Sequence, residues 1–67
     1  MREIQIGQRY SKVDARRTIW RVIDVADRNG IRHCHIVDEN DPTNIKLISE
    51  MILTNPRFYQ LVEVTEA

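Results

Sequence analysis

The sequence predicts an all-β fold, with five short strands and one helical turn before the last strand. Runs rich in β-branched and aromatic residues recur along the chain. Clusters of turn-forming residues separate these runs, and one Asn-Gly pair stands between two of them. The chain has 67 residues, of which 42% are apolar and 30% charged, so we expect one small domain over residues 1–67 with a modest core.

The first predicted strand covers residues 3–10. Ile4 and Ile6 alternate with polar residues, and Gly7 predicts a kink or a bulge. The segment 11–17 is polar and has no period, so we expect a surface loop there.

The clearest local prediction is a hairpin in which the runs 18–25 and 31–37 flank Asn29-Gly30. Asn-Gly favours the two-residue type I′ turn, in which both central residues have positive φ. Residues that face each other across the two strands of this hairpin then have numbers that sum to 59. One face receives the pairs Arg21–Asp38, Ile23–Ile36, Val25–Cys34 and Asp27–Arg32, and the other receives Val22–Val37, Asp24–His35 and Ala26–His33.

The second half of the chain allows two interpretations. In the favoured one, a loop over 38–44 leads to a strand at 45–49, a helical turn at 50–54 and a last strand at 58–64. In the alternative, isoleucines at helical spacing form a helix near 42–54, and the fold is α+β with three or four strands. The predicted core consists of Ile4, Ile6, Trp20, Ile23, Val25, Cys34, Ile36, Leu47, Leu53, Phe58 and Leu61.

The predicted strand order, with a polar loop after the first strand, resembles that of SH3-like barrels. The segments 6–10, 20–22, 48–53 and 55–58 look like those of small bacterial proteins with this architecture, whose activity is not established. The resemblance implies a five-stranded open SH3-like barrel. Its motifs are packing motifs, so it implies no functional residue.

Charge is unevenly distributed although the net charge is zero. Residues 1–21 hold six basic and two acidic residues, which leaves +4, and residues 38–67 hold two basic and six acidic residues, which leaves −4. Either the basic third meets a polyanion, or the two ends lie side by side and neutralise each other. The candidate binding residues are Arg9, Lys12, Arg16, Arg17, Trp20 and Arg21.

Trp20 has two interpretations. An exposed indole beside these arginines would provide a stacking platform for bases or a groove for a peptide. A domain with only four aromatic residues also needs large side chains to fill its core, and we favour a core position for Trp20.

His33 and His35 point to the same side of a strand, and with Asp24 they form a weak candidate metal site. The simpler interpretation is a half-exposed sheet face on which His35 bonds to Asp24. Cys34 points to the opposite side, as a small core residue. We therefore predict no metal site.

The sequence predicts no cofactor and no enzymatic activity, because no nucleophile, base and pocket coincide. The single cysteine, the absence of a signal peptide and the lack of a long apolar run favour a cytoplasmic protein without a membrane partner. Two functions stay open: a non-catalytic binding or adaptor module that contacts proteins, and a nucleic-acid-binding module that uses the basic third. The oligomeric state cannot be read from the sequence.

Overall fold

The computed structural model describes residues 4–62 and has the predicted all-β architecture. Its five antiparallel strands form an open sheet in the order β4-β3-β2-β1-β5. The elements are β1 (Arg9–Lys12), β2 (Ala15–Arg28), β3 (Ile31–Asp38), β4 (Asp41–Ser49), α1 (Glu50–Leu53) and β5 (Tyr59–Leu61). The alternative α+β fold with a helix near 42–54 is not adopted, because the chain over 41–49 pairs with β3.

The N-terminal segment differs from the predicted strand over 3–10, of which residue 3 lies outside the described residues. Ile4 is buried, but Ile6 lies in a turn and is 69% exposed. Gly7 adopts a φ of 96°, in the left-handed region that favours glycine, and its N–H donates to the carbonyl of Val22 at 2.8 Å. The turn therefore delays the start of β1 to Arg9.

The predicted surface loop over 11–17 is wrong. β1 continues to Lys12, which faces Ala15 across a tight turn. The polar side chains of this segment occupy a strand because β1 lies between β2 and β5, where its backbone groups are paired on both sides. The N–H of Val13, in the turn, donates to the carbonyl of Phe58 at 2.9 Å.

The Asn29-Gly30 turn is confirmed. Both residues have positive φ, 53° and 80°, and Arg28 faces Ile31 across the two-residue loop. From this pair to Asp24–His35, the facing residues have the predicted register.

A β-bulge at Ile23 then shifts the register by one residue. Val22 faces Ile36, Arg21 faces Val37 and Trp20 faces Asp38, so the predicted pairs at this end of the hairpin are wrong. Because a bulge adds one residue to one strand, it reverses which side chains face inward beyond it.

The reversal puts Val22 in the core, with no exposed surface, and leaves Ile23 38% exposed. The predicted core position of Ile23 is therefore wrong. Trp20 turns inward with Val22, and its predicted core position is confirmed at 3% exposure.

The predicted loop over 38–44 shrinks to a turn at residues 39–40, and β4 begins at Asp41. The predicted helical turn is confirmed as α1. Its N-cap is Ser49, whose hydroxyl accepts a hydrogen bond from the N–H of Ile52 at 3.3 Å. Leu53 is the buried residue of this helix.

The last strand is shorter than predicted within the described residues, and the predicted positions 63–64 lie outside them. Asn55 accepts hydrogen bonds from the N–H groups of Phe58 and Tyr59, at 2.9 and 3.1 Å. This turn directs Tyr59 into the core, and Phe58 remains 47% exposed. The predicted core position of Phe58 is therefore wrong.

The core lies on one face of the curved sheet, closed by α1. Four predicted members, Ile6, Ile23, Leu47 and Phe58, are more than a third exposed. Tyr10, Val22 and Tyr59 take core positions that the sequence did not predict. The buried cluster consists of Ile4, Tyr10, Trp20, Val22, Cys34, Ile36, Leu53 and Tyr59, with Val25, Ile48 and Leu61 packed against it.

Candidate functional site

Arg9 and Arg21, two of the candidate binding residues, both approach the carboxylate of Glu39. Arg9 makes a bidentate contact, with Nε and a terminal nitrogen at 2.7 and 2.9 Å, and Arg21 is 4.0 Å away. The hydrogen bond from Arg9 lowers the pKa of Glu39 and raises that of Arg9. This contact ties β1 and β2 to the β3–β4 turn, so it uses part of the basic surface internally.

The other basic candidates lie around the β1–β2 turn. Lys12 is 3.9 Å from Asp14, and Arg16 and Arg17 are exposed at the start of β2. No ion pair recorded within residues 4–62 involves these two arginines. The structure therefore separates the basic residues into a Glu39-bound pair and an exposed group at one end of the sheet.

Trp20 does not contribute an exposed ring. Its side chain is buried, and the ammonium of Lys46 lies 4.7 Å from the centre of the ring. The indole Nε1 finds no hydrogen-bond partner among the described residues. Trp20 is therefore removed from the candidate binding surface, since stacking requires an accessible face.

The residues of the weak metal candidate do not converge. His35 Nδ1 lies 3.4 Å from the carboxylate of Asp24, which is the cross-strand contact expected from the simpler interpretation. His33 Nδ1 is instead 3.0 Å from the carbonyl of Ile31. Within residues 4–62, no group of three or more His, Cys, Asp or Glu side chains is arranged to hold a metal ion.

Cys34 occupies its predicted core position and is 1% exposed. Burial, with a smaller contribution from the charge of Glu50, raises the pKa of this thiol to about 11. The thiol is thus protonated near neutral pH, and a protonated buried thiol is a poor nucleophile.

An open groove of about 550 Å³ lies between α1 and β5. Tyr10 and Tyr59 form its buried wall, and Leu53, Pro56 and Leu61 complete its apolar lining. Gln60 and Leu61, close to the end of the described residues, also line it. Nothing within residues 4–62 indicates what covers it.

The surface that the sequence did not identify is the edge of β4. This strand pairs with β3 on one side and ends the sheet on the other. Its regular part, which we call the β4 edge, is residues 45–49, where pairing with β3 continues without a register shift. Ile45 and Leu47 are 50% and 47% exposed there.

The direction of the backbone groups on β3 follows from one hydrogen bond at its end. The N–H of Glu39 donates to the carbonyl of Ile19 at 3.0 Å, so this peptide points toward β2. Backbone groups alternate in direction along a strand. The N–H and C=O groups of Val37 therefore also point toward β2, whereas the N–H and C=O groups of Ile36 point toward β4.

The same alternation fixes the free groups of β4. Ile36 faces Lys46, and their backbone groups point at each other. The N–H and C=O groups of Ile45 and Leu47 consequently point away from β3, to the open side of the sheet. Each of these two residues thus combines an exposed apolar side chain with unpaired backbone groups.

The side chains of Ile45 and Leu47 lie on the sheet face opposite the core. Ile45 faces Val37, which is buried although it is not part of the core cluster, and Leu47 faces His35. The alternation of Ile45 and Leu47 with Lys46 is the sequence signal for a strand with an apolar side. The predicted core position of Leu47 is wrong, because its side chain lies on the outer face of the sheet.

No protein-family model, curated protein or solved structure matches this chain. The fold is that of a small antiparallel β domain whose sheet ends at β4 on one side and at β5 on the other. No helix within residues 4–62 has the length and apolar character needed to cross a membrane.

Proposed function

We propose that this domain is a non-catalytic module that contacts other proteins by accepting an extended segment as a sixth strand beside β4. The observation that carries the proposal is the β4 edge, where exposed apolar side chains and unpaired backbone groups coincide at Ile45 and Leu47. A strand at the edge of a sheet is a template for pairing with another chain.

Three features that usually protect an edge occur on β4, namely Pro42, the register shift between Ile45 and Asp41, and the charged Lys46. Proline and charged side chains prevent unwanted pairing. Pro42 lies before the regular part of β4, and Lys46 turns to the core side, where its ammonium covers the ring of Trp20. Residues 45–49 therefore remain open to an added strand.

The side chains also define the partner. An added strand would place every second side chain next to Ile45 and Leu47 on the outer face. The partner segment we expect is extended, at least five residues long, and apolar at alternate positions. Main-chain hydrogen bonds would supply affinity, and the two apolar contacts would supply selectivity.

The remaining residues support a binding role over catalysis. The buried thiol of Cys34 has a raised pKa, which makes it a poor nucleophile. The pair of His35 and Asp24 lies on an open sheet face. We keep the SH3-like barrel as the proposed architecture, supported by five antiparallel strands with one helical turn before the last. A cytoplasmic location also remains a proposal.

Hydrogen exchange at single residues tests the site. Peptides selected from a displayed library of random segments should slow the exchange of the Ile45 and Leu47 amides in dilute protein. Ile45→Lys should weaken their binding by about tenfold or more, which corresponds to about 1.4 kcal/mol. Ile31→Lys is the matched control, because Ile31 is 56% exposed but lies on the β2–β3 hairpin, outside β4.

The proposal is overturned if the library yields no binder, or if selected peptides protect amides elsewhere, for example beside the groove at Tyr59. Equal weakening by the Ile31 and Ile45 substitutions would also contradict it.

Nucleic-acid binding is the second candidate, and its support is the exposed group Lys12, Arg16 and Arg17. The Glu39 contacts of Arg9 and Arg21 reduce the basic surface that is available to a polyanion. Binding through three cations would weaken steeply as salt rises, because counterions are released. A short single strand or duplex that shows no mobility shift at low salt would remove this candidate.

A further inference from the structure

We propose that the end of the sheet around the β1–β2 turn binds a single-stranded nucleic acid, with Phe58 stacking on a base and four cations holding the phosphates. The inference deepens nucleic-acid binding, the second candidate function, and rests on it. Phe58 provides the accessible ring that the buried Trp20 does not, and the fold brings it beside the basic residues. We call this surface the basic end, and its cations are Lys12, Arg16, Arg17 and Arg57.

The backbone brings Phe58 next to the β1–β2 turn, which is distant in the sequence. The carbonyl of Phe58 accepts a hydrogen bond from the N–H of Val13 at 2.9 Å. One position further on, Tyr59 faces Lys12, and Lys12 faces Ala15 at the start of β2. Neighbouring strands are about 4.8 Å apart, so the backbone of Phe58 lies roughly 10 Å from the start of β2. The ring and the cations therefore share one end of three adjacent strands.

The ring of Phe58 is accessible and its backbone is held in place. The side chain is 47% exposed, whereas that of the next residue, Tyr59, is buried. Asn55 organises the turn, because its carbonyl accepts from the N–H of Phe58 and its side-chain oxygen accepts from the N–H of Arg57 at 3.0 Å. A ring that is already positioned loses little conformational freedom when it stacks on a ligand. An exposed aromatic side chain among cations is the combination that binds single-stranded nucleic acid.

Charge at the basic end is complementary to a polyanion. The segments 12–17 and 54–60 hold four basic residues and one acidic residue, Asp14, which leaves +3. The three arginines are exposed, and no ion pair recorded within residues 4–62 involves any of them. The contact of Lys12 with Asp14, at 3.9 Å, is an exposed pair of low stability that a phosphate can replace. The acidic β3–β4 turn lies on the other side of β2, so it does not interrupt this surface.

The ring selects unpaired bases among the possible polyanions. Every base has a π-face, but a duplex keeps these faces within its own stack, so Phe58 can stack only on a base that is free of a duplex. An acidic peptide would satisfy the cations and leave the ring without a stacking partner. Binding through all four cations predicts that log K falls with log salt with a slope of about −2.8, since each phosphate of a single strand contributes about −0.7.

Fluorescence anisotropy with a labelled oligothymidylate of about eight nucleotides tests the ring and the cations separately. Phe58→Leu should weaken binding about fivefold or more and leave the salt slope unchanged, because the ring is lost and the cations remain. Phe58→Tyr is the matched control, since it keeps a ring and should bind nearly as the unsubstituted chain does. Arg57→Gln should instead reduce the steepness of the salt slope by about 0.7. Arg28→Gln, which removes an exposed arginine at the opposite end of β2, should leave the slope unchanged.

A measurement without substitutions covers the case in which a Phe58 variant fails to fold. When the oligothymidylate binds the unsubstituted protein, the ring protons of Phe58 should shift upfield in the NMR spectrum, because they enter the ring current of a stacked base. Ring-proton signals that stay unchanged at saturation would overturn the inference.

The outcomes also separate the inference from the second candidate function. Equal binding of a duplex with the same number of phosphates, without loss of affinity in Phe58→Leu, overturns the inference but leaves nucleic-acid binding standing. Equal binding of polyglutamate shows that bases are not recognised and overturns the inference. If neither the single strand nor the duplex binds at low salt, the inference and the second candidate function both fail.

Discussion

Replacement of Gly30 by valine should destabilise the domain through the backbone alone. Gly30 has a φ of 80°, and a Cβ added there would have no atom within 4 Å, so no steric contact contributes. A β-branched residue held in this region costs about 1–3 kcal/mol. A chain of this size has a free energy of unfolding of roughly 3–10 kcal/mol, so the loss is a large fraction of the total.

Urea unfolding followed by circular dichroism measures this loss. With an m-value of about 1 kcal/mol/M, the midpoint should fall by roughly 1–3 M while m stays constant. Gly30→Asn is the matched control, because asparagine tolerates positive φ and should lose much less. Equal midpoints for the valine and asparagine variants would refute the assignment of the cost to the left-handed turn.

Three further predictions concern the bulge, the buried thiol and the ion pair. Val22→Ala should lower the free energy of unfolding by about 2–3 kcal/mol, and Ile23→Ala should lower it by less than about 1 kcal/mol, because Val22 is buried and Ile23 is partly exposed. If urea unfolding shows the larger loss for Ile23→Ala, the bulge is excluded. The folded-state pKa of Cys34 is raised to about 11, so its contribution to stability is present at neutral pH and lost between about pH 9 and 11. Alkylation of native protein at pH 8 should therefore be slow, and fast labelling would contradict the burial. The pKa of Glu39 is lowered, so its contribution is present at neutral pH and lost in acid, as pH falls through that pKa. In Glu39→Gln, the melting temperature should therefore fall less as the pH is lowered than it does in the unsubstituted protein. An unchanged fall of the melting temperature in acid would show that the contact with Arg9 is not stabilising.

Several elements could be predicted because nearby residues determine them. Asn29-Gly30 favours its turn without help from the rest of the chain, and the pairs next to it follow from the two-residue loop. Ser49 caps the helical turn that follows it, which is also a local interaction. These elements agree with the structure for that reason.

The candidate site was predicted less well, because exposure depends on distant strands. The sequence named Arg9, Trp20 and Arg21 among the candidate binding residues, although it favoured a core position for Trp20. The structure buries Trp20 and brings Glu39, from a turn 30 residues after Arg9, against the other two. Leu47 was predicted in the core, but its side chain lies on the outer face of the sheet, on a strand with no neighbour on its open side.

The sequence by itself determined the all-β class, the central turn and the helical turn before β5, since each follows from local propensity and turn geometry. The tertiary structure alone decided the bulge at Ile23. Val22 accepts and donates backbone hydrogen bonds with Gly7 and Gln8, and Trp20 faces Tyr10 on β1. The turn fixes the register only in its own neighbourhood, while the distal half of β2 takes the register that buries Trp20 and Val22 against the rest of the core.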